Sequence, residues 1–272
     1  SRAKLDPEPS RQTHSLFLSP LGGIGPGPTK HGVMGRPGQK NGRNLGGLRL
    51  KHVSNSVGIT WQGEKLELWS AKAIHWPAKK LLLVADTHFG KAATFRKSGI
   101  PVPESTSQDD CHRLEELVRQ TKVDSLIFLG DFLHARDGRT EGVHKELLDW
   151  RNRLPRIGVH LVRGNHDLQS GDPWPDLEIQ CHREPWTEFK FDLRHHPVGP
   201  TAHPFMAGHI HPGFSLKEKS GSRLRSPCFQ VGKNRIILPA FGTFTGIKTV
   251  KPDRDDRIFM TDGQEVIEVP TY

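Results

Sequence analysis

The sequence predicts an α/β fold of two packed, mixed β-sheets with helices outside them. Three observations carry that expectation. Short apolar runs alternate with amphipathic segments in the first half of the chain. The second half consists of short strand-like runs, punctuated by Pro and Gly, with no strong helix. Polar residues of one chemical kind also stand at the ends of successive strands, as they do where strand ends converge on one crevice.

The elements follow in order. Lys80–Ala85 (KLLLVA) is apolar almost throughout, the mark of a strand buried on both faces. Ser107–Gln120 places Cys111, Leu114, Leu117 and Val118 on one helical face. Ser125–Leu129 (SLIFL) is a second buried strand, Glu141–Arg153 a helix, and Gly158–Val162 (GVHLV) a third strand, giving a βαβαβ pattern. Beyond about Trp174 come Thr187–Leu193, His203–Ala207, Phe229–Val231, Arg235–Leu238, Arg257–Thr261 and Val266–Val269, all strand-like. No internal repeat is present.

The chain has 272 residues, enough for one large domain or a domain with a tail. Its formal charge of +9 is unevenly placed. Residues 1–63 hold nine basic and two acidic residues, a net of +7, which leaves +2 for the remainder. Leu21–Leu50 contains ten Gly and three Pro, with almost no hydrophobic periodicity. Such a segment cannot bury enough apolar surface to offset its ordering entropy, so residues 1–55 are expected to be a disordered basic tail and 56–272 the folded domain. The tail is open to three readings: a solvated extension, an arm for nucleic acid, or a targeting peptide.

Mean hydropathy is −0.57, and no apolar run approaches the roughly 20 residues of a membrane span. No apolar segment near the start suits a secretory signal. Three widely spaced cysteines (Cys111, Cys181, Cys228) offer neither a disulfide framework nor a thiolate zinc site, which points to a reducing, cytoplasmic compartment. Histidine is the informative count, 16 against a single tyrosine.

Those histidines keep particular company. The first strand runs into Asp86-Thr87-His88, the second into Gly130-Asp131, and the third into Gly164-Asn165-His166-Asp167. In the β-rich half one run ends at His195-His196, and another leads to Gly208-His209-Ile210-His211. Residues i and i+2 of an extended segment share a face, so Asp86/His88 and His209/His211 each present two donors together. Asp-x-His, Gly-Asp or His-x-His alone occurs often by chance; their order on successive strands does not. His112, His144, His160 and His182 lack that setting and are read as packed or surface histidines. Carboxylate, amide oxygen and imidazole without thiolate suit Mn²⁺, Fe²⁺ or Zn²⁺. Seven donors are too many for one tetrahedral ion but suffice for two ions about 3.5–4 Å apart sharing a carboxylate, the arrangement that hydrolyses phosphate esters.

At these residues the sequence resembles the calcineurin-like metallophosphoesterases over about residues 70–270. Its wording is closest to the subfamily of bacterial ligase-associated DNA damage response endonucleases (PdeM). The matching segments are WPAKKLLLVADTHFGKAATFRKSGIPVP (76–103), FLGDFLHARDGRT (128–140), LVRGNHD (161–167), HHP (195–197), AGHIHP (207–212) and LPAFGTFTG (238–246). The tail has no counterpart. The resemblance implies a four-layer sandwich of two mixed sheets flanked by helices, and two divalent ions, Mn²⁺ foremost with Fe²⁺ or Zn²⁺ as alternatives. One ion would be held by Asp86, His88 and His211, the other by Asn165, His195 and His209, with Asp131 bridging; His196 replaces His195 if the register differs by one. His166 resembles the non-ligand histidine beside the scissile phosphate, and Asp167 is expected to orient it.

The implied chemistry is attack on phosphorus by a metal-activated hydroxide, with His166 protonating the leaving oxygen. No GxSxG or CxxxxxR signature offers a covalent nucleophile instead. Lys91, Arg96, His134 and Arg163 are the candidate substrate contacts, with Lys97, Arg136 and Arg139 nearby in sequence. The subfamily implies a DNA substrate, single-stranded or damaged, a place in repair, and ligase and helicase partners. Two other readings stay open: an esterase for a small phosphodiester or phosphomonoester, and a non-catalytic nucleic-acid-binding scaffold, against which the full ligand set argues.

Overall fold

The computed structural model describes residues 55–102, 106–187, 189–198, 202–217 and 222–271. The expected disordered tail lies outside the described residues.

The first sheet begins with strands absent from the expectation. β1 (Ser56–Trp61), β2 (Glu64–Trp69) and β3 (Ala73–Trp76) form an antiparallel meander. Its signal lies in the turn: Gln62 and Gly63 both have positive φ (51° and 80°) and connect the paired Trp61 and Glu64, the geometry of a two-residue hairpin. β3 pairs antiparallel with β4 (Leu81–Val84), and β5 (Ser125–Leu129), β6 (Gly158–Val162) and β7 (Ile179–His182) then follow in parallel. The crossovers carry α1 (Lys91–Lys97), α2 (Thr106–Thr121), α3 (Glu141–Arg153) and α4 (Asn165–Ser170). α3 starts where Thr140 caps it, its hydroxyl accepting from the Val143 N–H at 3.3 Å. α4 was not expected, because GNHD reads as a strand end and the helix is only six residues long.

The second sheet is also mixed. It contains β8 (Asp192–Leu193), β9 (Phe205–Ala207), β10 (Pro212–Lys217), β11 (Arg223–Val231), β12 (Arg235–Ile237), β13 (Lys248–Thr249), β14 (Arg257–Thr261) and β15 (Val266–Val269). Two runs differ from expectation. Of Thr187–Leu193, only Asp192–Leu193 pairs as strand, because Thr187 donates its hydroxyl to Asp192 and turns the chain instead. Phe229–Val231 is the buried end of a nine-residue strand whose exposed half, rich in Arg and Ser, pairs with the unanticipated β10.

The alternation within β4 shows how the layers assemble. Leu81 and Leu83 join Phe229, Ile236, Leu238 and Phe259 in a core between the two sheets. Leu82 and Val84 face the other way, against Leu114, Leu117, Leu147 and Trp150 of α2 and α3. Each such side chain contributes about 1.5–3 kcal/mol on burial, so a period-2 run apolar on both faces fixes a sandwiched strand. The outer face of the second sheet carries a smaller cluster around Cys228, Ile258 and Met260. Two mixed sheets with flanking helices are therefore present, and among the described residues no α-helix follows Ser170. Among them, too, no helix is long and apolar enough to cross a membrane. All three cysteines are free thiols.

This topology brings the ends of β4, β5 and β6 to one edge. Backbone bonds from Phe241 N–H to the Ala85 carbonyl (2.8 Å) and from Gly242 N–H to the Asp86 carbonyl (3.2 Å) tie the loop after β12 to the same edge.

Candidate metal centre

Five strand ends deliver seven donor side chains to this edge. His88 Nε2 lies 3.3 Å from His211 Nε2, and His211 Nε2 lies 3.4 Å from Asp86 Oδ1. His195 Nε2 stands 3.0 Å from His209 Nδ1, 3.1 Å from Asn165 Oδ1 and 3.4 Å from Asp131 Oδ2. Asp131 Oδ2 is also 3.9 Å from His88 Nε2, so its carboxylate sits between the two groups. Asp86, His88 and His211 form one set of mutually adjacent donors; Asp86, Asp131 and His195 form another.

Local backbone geometry is bent to this purpose. Asp86, His88, Asp131, His209 and His211 all have φ between 48° and 73°, the left-handed region that side chains with a Cβ avoid. They make up half of the ten such non-glycine residues described, and strain of this kind concentrates where side chains must be aimed. Space is equally constrained. A Cβ on Gly130 would lie 2.2 Å from His195 Nδ1, and one on Gly164 would lie 2.3 Å from Asp131 Oδ1. The glycines of the GD and GNHD motifs are thus the room their neighbours' donors occupy.

His195 is fully buried, and its Nδ1–H donates to the Leu129 carbonyl at 3.0 Å, leaving Nε2 bare and aimed at the other donors. A metal-ligating imidazole is commonly anchored through its second nitrogen in this way. His196 also stands beside the donors, its ring centroid 4.4 Å from that of His209, but its Nδ1 is held 2.5 Å from Glu184 Oε1. Glu184 itself escaped the sequence reading. Its Oε2 accepts the backbone N–H of both His195 (2.7 Å) and His196 (2.9 Å), which sets the register of the pair. Burial raises the Glu184 carboxyl, but these bonds outweigh it and hold its pKa below the usual value.

Asp167 does something other than orient His166. It is buried, and its carboxylate accepts four backbone N–H groups: Asp131 (2.7 Å), Phe132 (2.9 Å), Gly164 (2.9 Å) and Leu133 (3.3 Å). It therefore clamps the GD loop to the GNHD loop. His166 is oriented by His134, whose carbonyl oxygen accepts its Nδ1–H at 2.5 Å, and by Asp131, whose Oδ1 accepts the His166 backbone N–H at 3.0 Å. The two imidazoles stack, with ring centroids 5.0 Å apart.

The electrostatics describe a pocket short of positive charge. Burial, then the adjacent Asp86, pushes the Asp131 carboxyl up to about 8. Burial, then His211, pushes His88 down to about 2, and burial takes His195 and His134 to about 4. Neutral imidazoles and a carboxylate that resists ionising alone are what a divalent cation would relieve. His88 Nδ1 and His134 Nδ1 are moreover buried without a hydrogen-bond partner. The donor set, mixed N and O with no thiolate, fits divalent ions.

Among the candidate substrate contacts, Lys91 lines a cleft with His88, Thr87 and Phe244. Arg163 does not face it. Its guanidinium makes a bidentate pair with Asp172 (2.6 and 2.7 Å), and Asp172 and Gly171 carbonyls also hold Arg139, which lies over the Trp174 ring. Arg96 donates to the Val102 carbonyl, Arg136 to the Gln169 carbonyl, and Lys97 pairs with Asp137. Of the histidines set aside, His144 pairs with Asp176, and His182 stacks on Trp186 near His160.

Two packed mixed sheets with a crowded Asp/His/Asn cluster at their shared edge define a metal-dependent phosphoester hydrolase. The chain belongs to the calcineurin-like phosphoesterase family, whose model matches residues 79–227. Among solved structures, it is similar to the crystal structure of the Pseudomonas putida nuclease MPE, at 40% identity and a TM-score of 0.71, covering 79% of this chain and 100% of that one. A second, Yfce, a phosphoesterase from E. coli, aligns at 18% identity with a TM-score of 0.37, over 71% of this chain and 99% of that one. No curated protein matches the chain.

Proposed function

We propose that this chain is a dinuclear metal-dependent nuclease that hydrolyses DNA phosphodiester bonds. The observation that carries the reading is the Asp131 carboxylate standing 3.4 Å from His195 Nε2 and 3.9 Å from His88 Nε2, between the two groups of donors, in a chain 40% identical to a nuclease along that protein's whole length. Asp86, His88 and His211 would hold one ion, Asn165, His195 and His209 the other, with Asp131 shared and Mn²⁺ the foremost metal. Bound there, divalent ions would lower the pKa of a water towards neutrality and screen the phosphate charge.

The protein's own groups do the rest. Asp167 fixes the spacing of the two loops that carry Asp131 and Asn165. His166, with Nδ1–H committed to the His134 carbonyl, presents Nε2 to the site 3.9 Å from Asp131 Oδ2. A protonated Nε2 at that position donates to the leaving oxygen, and the carbonyl behind it stabilises the imidazolium. Lys91, which lines a cleft with His88, supplies positive charge for a phosphate. Action in DNA repair, with ligase and helicase partners in the cytoplasm, rests on the subfamily resemblance; survival of a deletion strain after DNA damage tests it.

One assay series with Mn²⁺ tests the activity, comparing single-stranded DNA, duplex DNA, a generic phosphodiester and a phosphomonoester, with Asp131→Asn as the control. Cleavage of DNA by the natural chain and not by the variant is expected. Turnover of small esters alone, at low salt, would overturn the nuclease reading.

A further inference from the structure

Five large hydrophobic side chains are exposed among the described residues, and four of them stand in or near the segments that carry the motifs, three in loops and Leu168 in α4. Ile100 follows α1, Leu168 follows His166-Asp167, Val198 follows the His195-His196 pair, and Phe244 lies in the loop after β12. Only Leu224 lies elsewhere, on β11. Exposed apolar groups gathered at a charged site mark a place where something apolar docks.

Phe244 is the most telling of them. It is 41% exposed, yet nothing about its setting is loose. The ring rests against Phe95 (centroids 5.5 Å apart), and Phe95 in turn meets His134 at 6.2 Å. The loop that carries it is fastened on both sides. Buried Asp110 accepts the Thr243 hydroxyl (2.6 Å) and the Thr243 N–H (3.1 Å). Arg113, paired with Asp110 at 2.9 Å, donates to the Phe241 carbonyl and covers the Phe241 ring at 4.0 Å. Further ties run from Phe241 and Gly242 to the backbone carbonyls of Ala85 and Asp86.

Phe244 shares a cleft with His88 and Lys91. A separate open cleft of about 340 Å³ is lined by His209, His211, Ile247 and Lys248. Lysine, aromatic ring and a donor histidine thus line one cleft, and a second lysine lines another with two donor histidines. That combination of chemistries matches a single strand: phosphates for the cations, and an unstacked base for the ring.

We infer that Phe244 is a base-stacking platform that makes the site favour a nucleotide beside the scissile phosphate whose base is free of its neighbours. Asp110 and Arg113 are positioning residues that hold the platform in place. The inference rests on the nuclease reading and names a residue that would select the single-stranded form the resemblance implies. A paired duplex keeps its bases stacked inside, so it cannot use the ring without opening.

The test compares kcat/KM of the Mn²⁺-loaded protein on a single-stranded oligonucleotide and on the same strand with its bases removed throughout. Stacking of one base is worth about 1–3 kcal/mol, which is about a 5- to 150-fold preference for the base-bearing strand. Phe244→Leu is expected to bring that ratio close to one, mainly through KM, whereas Phe244→Trp retains it. Asp110→Asn is expected to reduce the ratio, with partial loss in the Thr243→Val variant. A Phe244→Leu protein that cuts DNA with the natural ratio would sink the platform and leave the nuclease standing. Failure of the natural chain to cut either strand, with small esters turned over, would overturn both.

Discussion

Gly164→Ala adds one methyl group at the place where the metal centre has least room. Gly164 has φ −96° and ψ −179°, extended backbone open to any residue, so alanine brings no conformational penalty of its own. What it brings is a Cβ at 2.3 Å from Asp131 Oδ1, 2.8 Å from the Asp131 backbone N and 2.9 Å from His195 Cδ2. Restoring ordinary contact requires the Asp131 carboxylate to retreat by about 1 Å, and the Asp167 clamp ties down the backbone on both sides. Overpacking of this kind costs about 1–3 kcal/mol, which for a domain of this size lowers Tm by about 2–12 °C. Metal sites tolerate only about 0.2 Å, and a 1 Å misplacement lowers turnover by about 100-fold. The assay is titration of Mn²⁺ into metal-free protein by calorimetry, together with DNA cleavage and a melting curve. Gly58→Ala, where a Cβ meets nothing within 4 Å, serves as the control. A folded Gly164→Ala protein with natural Mn²⁺ affinity and natural turnover would refute the assignment of Asp131 and His195 as neighbouring ligands.

Three further outcomes follow from the same geometry. His166→Ala keeps Mn²⁺ bound in calorimetry but loses turnover by about 10²- to 10⁴-fold, because only the proton donor is removed; full turnover with full occupancy would contradict that role. Arg163→Ala, which breaks a half-exposed pair with Asp172, lowers Tm by no more than about 4 °C and leaves KM for DNA unchanged, whereas a large rise in KM would return Arg163 to the substrate. Metal-free protein loses stability as pH rises from about 6.5 to about 8: folded Asp131 keeps a proton there that the unfolded chain has released since about 3.8, while the buried histidines, lowered in the fold, act only below 6.5. The slope is at most about 1.4 kcal/mol per pH unit, and melting curves with saturating Mn²⁺ abolish it, because the cation displaces that proton.

What the sequence made legible was whatever repeats along the chain. The buried strands β4, β5 and β6 are apolar on both faces, and α2 and α3 carry a helical stripe, so their bounds follow from period alone. The donors were legible because each stands directly after such a strand. What escaped depends on partners distant in sequence. β2 alternates apolar with charged residues, β1 and β3 are short runs without a helical or long apolar signature, and all three are held by cross-strand pairing. Glu184 sits in a polar stretch with no motif, and only the fold puts it beneath His195 and His196, 11 and 12 residues later. Arg163 stands inside a motif loop, which favoured a substrate contact, yet Asp172 nine residues on claims it.

The same distinction explains why the donors alone would not make a site. Each of Asp86, His88, Asp131, His209 and His211 sits in a backbone conformation disfavoured by its own Cβ, and local bonding is slight: the Ile210 N–H donates to the Gly208 carbonyl at 2.9 Å across His209. The stabilising bonds come across the fold. Asp167 reaches from α4 to three successive amides after β5, Asp86 accepts the His209 N–H from the second sheet, and Leu129 anchors His195. A carboxylate that binds four amides stabilises those loops with or without metal, whereas the donors repel one another until a cation arrives. The scaffold of the centre is therefore preorganised by groups that never touch a metal. It follows that Asp167→Ala, which leaves every proposed ligand intact, weakens Mn²⁺ binding as well as stability. If Asp167→Ala bound Mn²⁺ as tightly as the natural chain, the donors would be organising themselves around the ion, and the preorganised scaffold would be the wrong account of this site.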